Sequence, residues 1–251
     1  MPNNSEDTYH ILNGDALREQ FPQDIGGQYI IFREMLMDGP LSLSLDDDFL
    51  AQRENFLSPY DSPEDKFYRR MVVPELMRLR QIAAGSKIYL WFEYDLFCQV
   101  NMWAAVTWIR TTLTDVSFYW AAPKPKDWRG FGALSPDGLS EAHNSARLLP
   151  DTELVLMEKA LNLYISQNRN LLTQSLAQDN WTDYLHTALM AQRQRMPDKQ
   201  GNCEFYTRVD ALIAKYKTFP DFFSAFCIEE GQYGLGDLQA KQLYEARLRL
   251  M

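Results

Sequence analysis

Up to about residue 123, short apolar runs of strand length alternate with segments of helical period; beyond it only helical period continues. "TYHILNG" reads as a first strand ending at Asn13-Gly14, and "DALREQF" from Asp15 as a short helix. "GQYIIFREML" is a second strand, followed by the turn signal "DGPL". "SLDDDFLAQRENFL" places Leu45, Phe49, Leu50 and Phe56 at helical spacing. "SPEDKFYRRMVVPELMRLRQIAAG" predicts a helix with Ser62 as N-cap, Pro63 at its first position, Gly85 as C-cap and a break at Pro74. "KIYLWF" is a third strand and "VSFYWAA" a fourth. Between them, a helix over 96–112 is apolar on most faces (Val100, Met102, Trp103, Val106, Ile109), which predicts burial all round.

After the connection "PKPKDWRGFG", the segments "SPDGLSEAHNSARLLP", "DTELVLMEKALNLYISQ", "RNLLTQSLAQ", "WTDYLHTALMAQRQRM", "EFYTRVDALIAKYKTFPDFFSAFC" and "LGDLQAKQLYEARLRL" all read as helices. The expected class is therefore α/β. A Rossmann-like, mostly parallel sheet with helices occupies 8–123, and an all-helical part occupies 124–251.

Charge narrows the partners. The chain of 251 residues has a formal net charge of −9. Residues 1–123 hold 10 Lys and Arg against 18 Asp and Glu, and residues 124–251 hold 15 against 16, so the acid lies in the first half. This disfavours broad attraction to nucleic acid or an anionic membrane. The polar, acidic start is unlike a signal peptide, and no run approaches the roughly 18 apolar residues of a membrane helix. Cys98, Cys203 and Cys227 are widely spaced with no CxxC pair, which argues against a disulfide framework or structural zinc and for a reducing cytoplasmic setting.

Acid follows three strands: Asp15 after Asn13-Gly14, Glu34 beside Arg33 and ahead of Asp38-Gly39, and Glu93 with Asp95. Open parallel sheets bind ligands outside the carboxyl ends of their strands, so these groups are expected to meet in one pocket. Gathered carboxylates could hold Mg²⁺, with Asp15, Glu93 and Asp95 as ligands, or act as general acid and base, and Arg33 could hold a ligand anion. Gln99 lies one helical turn beyond Asp95 and can face the same space. Plainer roles exist for each. Asp15 and Asp95 stand where helices begin and suit N-capping, and Arg33 suits an internal ion pair. Glu93 interrupts an apolar run without being a cap, and a structural role explains it least well. "YGLGDLQ" (233–239) vaguely suggests a phosphate-cradling loop but does not follow a strand, and Asp237 reads better as an N-cap. His10, His143 and His186 show no metal-ligand spacing, and Cys98 among apolar neighbours reads as a buried structural thiol.

"HILNGDAL", "FREMLMDGPL", "LWFEYDLFCQVN", "WRGFGALSPDGL" and "YGLGDLQ" together resemble the bacterial domain-of-unknown-function 1835 (DUF1835) family, in the right order and from about residue 9 to the C-terminus. The resemblance implies an α/β N-terminal and a helical C-terminal part. It singles out Asn13, Gly14, Asp15, Arg33, Glu34, Gly39, Pro40, Trp91, Glu93, Asp95 and Gln99, and implies no activity. Many relatives carry serine or a small residue after "NGD"; Ala16 brings no hydroxyl to that position. Two readings stand at this point. One is a cytosolic protein binding a small polar or phosphorylated ligand, such as a nucleotide, with Mg-assisted hydrolysis if it is an enzyme. The other is a non-enzymatic regulatory or protein-interaction module whose acids are structural.

Overall fold

A computed structural model describes residues 7–61, 64–125 and 127–251. The expected N-cap Ser62 and Pro63 lie outside the described residues. Five strands form one sheet in the order β2-β1-β3-β4-β5: β1 (Thr8–Asn13), β2 (Gln28–Phe32), β3 (Ser86–Trp91), β4 (Val116–Trp120) and β5 (Arg147–Leu148). The first four are parallel, with Leu12 opposite Ile31 and Trp91, and β5 runs antiparallel to β4. The α/β architecture with a helical C-terminal part is as the pattern predicts.

Alternation along the strands sorts side chains to two faces. Leu12 and Trp91 meet Leu17 of α1 (Asp15–Gln20), Leu139 of α5 (Pro136–Asn144) and Phe131 in the turn before α5. His10 lies on this face, where Trp91 Nε1 donates to its Nδ1 at 3.1 Å. Its Nε2 therefore carries the proton and donates to Gly26 O at 3.1 Å. Ile11, Ile30, Ile88 and Leu90 point the other way, into a larger core shared with α2 (Asp47–Leu57), α3 (Val73–Arg78) and α4 (Leu96–Thr112).

Helix α4 runs over the expected residues. All of Leu96–Ile109 is buried except Phe97, because α6 (Asp151–Ser166) and α8 (Asp183–Arg195) pack on the side away from the sheet. One helix thus serves two layers. Fully burying a Leu, Ile or Met side chain is worth roughly 1.5–3 kcal/mol, well above the roughly 0.7 kcal/mol spread of ordinary helix propensities, so burial decides this helix. The outer helices are α7 (Arg169–Gln178), α9 (Glu204–Lys215), α10 (Phe219–Glu229) and α11 (Asp237–Leu248).

Local departures have physical causes. Pro74 cannot donate to the turn before it, and the preceding turn widens to a π-helix over Tyr68–Val72, with Val73 N–H bonded to Tyr68 O. Gly85 does not cap that helix: α3 ends at Arg78 and a 3₁₀ turn over Leu79–Gln81 follows it. Gly85 turns the chain into β3 at φ +82°. Asp237 begins α11 from the first turn, with Gly236 in the N-cap place. Strand β5 falls inside a segment that reads as helix, so the sheet layer continues to Leu148. The long segment 204–227 breaks between α9 and α10, where Thr218 caps a helix with Pro220 in its first turn.

Candidate functional site

From β1 the chain crosses to β2 at the edge and then returns past β1 to β3. The strand order reverses between β1 and β3, and the crevice beyond their carboxyl ends is the topological switch point of the sheet. Asn13 closes β1 and Glu93 and Asp95 follow β3, so all three reach that crevice. A cavity of about 270 Å³ lies there, lined by these three with Cys98, Trp128 and Cys227 among others.

Helix α4 and the backbone at Phe131 hold these side chains. Asp95 N-caps α4, its Oδ1 accepting from Cys98 N–H at 3.0 Å. Glu93 Oε1 accepts from Phe131 N–H at 2.6 Å, and the Cys98 thiol lies 3.8 Å from its Oε2. Asn13 Nδ2 donates to Cys98 Sγ at 3.0 Å, and Asn13 Oδ1 accepts from Asn101. Gln99 Nε2 donates to Glu93 O at 2.6 Å and fixes the backbone there. Two glycines close the group. Gly130 (φ +57°) lies against the Glu93 carboxylate and Gly234 (φ +66°) against that of Asp95. A Cβ at either would overlap those oxygens. "WRGFG" and "YGLGDLQ" therefore build the walls of this site, a role their spacing did not reveal.

Burial first, and then the Asp95 charge, push the Glu93 carboxyl up to about 7, partly offset by the Phe131 N–H. Burial also raises Asp95, and burial together with both carboxyls raises the Cys98 thiol well above its ordinary value. Cys98 is thus a protonated thiol at neutral pH and no nucleophile. Among the described residues, no Lys or Arg lines the cavity. A carboxyl titrating near 7 can give or take a proton. Ligand atoms of Glu93, Asp95 and Cys98 also lie within 4.8 Å of one another, a set that could hold a divalent cation. A sulfur donor in that set suits Zn²⁺ better than the all-oxygen octahedron of Mg²⁺.

The other acids go elsewhere. Asp15 forms a two-pronged ion pair with Arg33, both bonds at 2.7 Å, on the surface. It is not in the cluster with Glu93 and Asp95, because the turn at Gly14 points it away toward Arg33. Glu34 is buried, 2.7 Å from Arg53 Nη2 and accepting from Tyr68 OH at 2.6 Å. Arg53 also donates to the carbonyls of Asp38 and Pro40 and so fixes the "DGP" turn. Gly39 lines a different cavity. Arg53 was legible in principle, as a charge at the helical spacing of Phe49, Leu50 and Phe56. Asn101, which ties Asn13 Oδ1 to Glu34 O, gave only the signal of an amide on an apolar helix.

Compared with known proteins, the chain matches no protein-family model, no curated protein and no solved structure at a significant level. The resemblance to the DUF1835 family rests on the motifs quoted above.

Proposed function

We propose that the chain binds a small polar ligand in the switch-point crevice, with Glu93 and Asp95 as its acceptors and Glu93 as the proton-exchanging group. The observation that carries this is the pair of adjacent carboxyls without a cationic partner among the described lining residues, at the place where open α/β sheets take ligands. Such a lining suits a ligand that brings hydrogen-bond donors or a divalent cation. A phosphorylated ligand enters this crevice only together with its cation, and metal-assisted hydrolysis is then the reaction the carboxyls could support. Three free thiols agree with a cytoplasmic setting, and no helix among the described residues is long and apolar enough to cross a membrane. The interaction-module reading draws on Glu34 and Asp15, both occupied by arginines.

Thermal unfolding in the presence of Zn²⁺, Mn²⁺ or Mg²⁺ tests the proposal, since a ligand that binds only the folded state raises its stability. The wild type should gain stability with Zn²⁺ or Mn²⁺, and Glu93→Gln and Asp95→Asn should lose that gain while keeping their circular dichroism. Asn is itself a good N-cap, so Asp95→Asn preserves the helix start. Equal gains in all three proteins would remove the cation from this site.

A further inference from the structure

The 234–236 loop has a second cavity on its other side, and Leu235 lines both. This cleft of about 1030 Å³ opens between the segment following β2 and helices α6, α8 and α11. A cleft of this volume lies at the upper end of the range of small-molecule sites.

Its charge is opposite in sense to that of the crevice. Arg169 and Arg195 line it against Asp38 alone, in a chain of net charge −9. The floor is built from distant segments. Arg195, its side chain 20% exposed, lies 3.1 Å from Asp38, whose other oxygen accepts from Gln239 Nε2 at 2.7 Å. The remaining contacts of Arg195 are long, 3.3 Å to Tyr164 OH and 3.5 Å to Gln192 Oε1. An anionic oxygen would make a shorter, charge-assisted bond of about 2.7–2.9 Å to the same guanidinium. Arg169 is held by Met196 O at 3.2 Å and only loosely by Glu204 at 3.4 Å. The lining also has an apolar wall that includes Met35, Phe56 and Phe205, and Gln192, Gln239 and Gln242 offer amides that both donate and accept.

We propose that this cleft binds an organic anion of nucleoside-monophosphate size, its anionic group on Arg195 and in the field of Arg169, its flat body on the apolar wall and its polar edge on the glutamine amides. The "YGLGDLQ" segment is then the partition between an acidic and a basic site, with Gly234 against Asp95 and Gln239 on Asp38.

Titration calorimetry of the full chain with AMP, GMP, CMP and UMP, in buffer free of divalent cations, tests this. At least one should bind saturably below 1 mM. Arg195→Lys keeps the charge but loses the fork, and should weaken binding about tenfold. Arg169→Gln, on a side chain 26% exposed whose partner Glu204 keeps its pair with Arg193, should weaken it about threefold and reduce its dependence on NaCl. Failure of all four to saturate by 1 mM, or the same affinity in both variants as in the wild type, overturns the proposal. Loss of binding in Glu93→Gln but not in Arg195→Lys also overturns it and moves the anion to the crevice, so the two sites are tested separately.

Discussion

Glu34 stands two residues past β2 and Glu93 two residues past β3, equivalent places at the carboxyl edge of one sheet. Their surroundings differ. Glu34 meets a guanidinium and a phenol inside the core, and that phenol, Tyr68, is pushed up by burial and by the Glu34 charge. Glu93 meets a backbone N–H, a thiol and a second carboxyl, and is itself pushed up. A buried acid with a matched cation is a closed structural unit. A buried acid that meets a thiol and a second carboxyl, with no cation lining its cavity among the described residues, is left with a proton to exchange or a cation to take. The same residue type at the same register is thus paired with a cation after one strand and placed beside a second carboxyl after the next.

The largest test of this contrast is on the structural side. Removing one partner of a buried ion pair leaves an uncompensated charge and costs about 3–5 kcal/mol. Arg53→Ala should lose that much in chemical denaturation, with a Tm lower by roughly 6–20 °C for a chain of this size. The double variant Glu34→Gln/Arg53→Met should be less harmful than the sum of its singles, because neither charge is then stranded. If the double is as damaging as the sum, the guanidinium matters for its bonds to Asp38 O and Pro40 O, and Glu34 is no longer a closed unit with it.

On the other side, the raised Glu93 carboxyl ties stability to pH. The folded state holds this proton more tightly than the unfolded chain does. The stabilisation is therefore complete below the ordinary value of 4.5 and is lost as pH rises through about 7. His10, pushed down to about 4 by burial, acts in the opposite direction and favours the fold as pH rises from about 4 to 6.5. The stability difference between wild type and Glu93→Gln removes the His10 contribution. Urea titrations at pH 5, 6, 7 and 8 should show that difference falling by roughly 1–3 kcal/mol toward pH 7 and levelling above it. Asp95, Cys98 and Asp127 face or surround the same carboxyl and broaden the fall. A difference that stays flat with pH would mean that Glu93 is already charged in the fold, and the contrast with Glu34 would narrow.

Much of this arrangement can be read from residue order. Short apolar runs of strand length over Thr8–Asn13 and Ser86–Trp91, and the apolar helical segment that starts at Leu96, place Asn13, Glu93 and Asp95 at one edge without coordinates. What order alone does not carry is direction. Asp15 is two residues past Asn13, yet it turns outward to Arg33, and Glu34 turns inward to a partner 19 residues away on α2. Arg53 and Tyr68 are set by tertiary packing, and no local period announces which acid they will meet. Strand β5, two residues long, is too short for alternation to register. The helix break at Tyr216–Thr218 was visible in "TFPD", a capping Thr followed by Pro, but the apolar spacing on both sides runs through it.

The smallest effect should come from the acid that left both groups. Asp15 is 52% exposed on its side chain and pairs with Arg33, which is only 11% exposed. An exposed pair contributes about 0.2–1 kcal/mol, and the two-pronged geometry places this one toward the upper end. Arg33 keeps a second partner, donating to Met71 O at 2.9 Å, so losing the carboxylate does not strand its charge. Asp15→Asn should therefore cost under about 1 kcal/mol, shrink further in 0.5 M NaCl as screening shortens the reach of the pair, and leave the cation-dependent thermal shift of the crevice intact. A cation response lost in Asp15→Asn would return this aspartate to the site with Glu93 and Asp95, and would require the turn at Gly14 to swing the carboxylate away from Arg33 when the ligand binds.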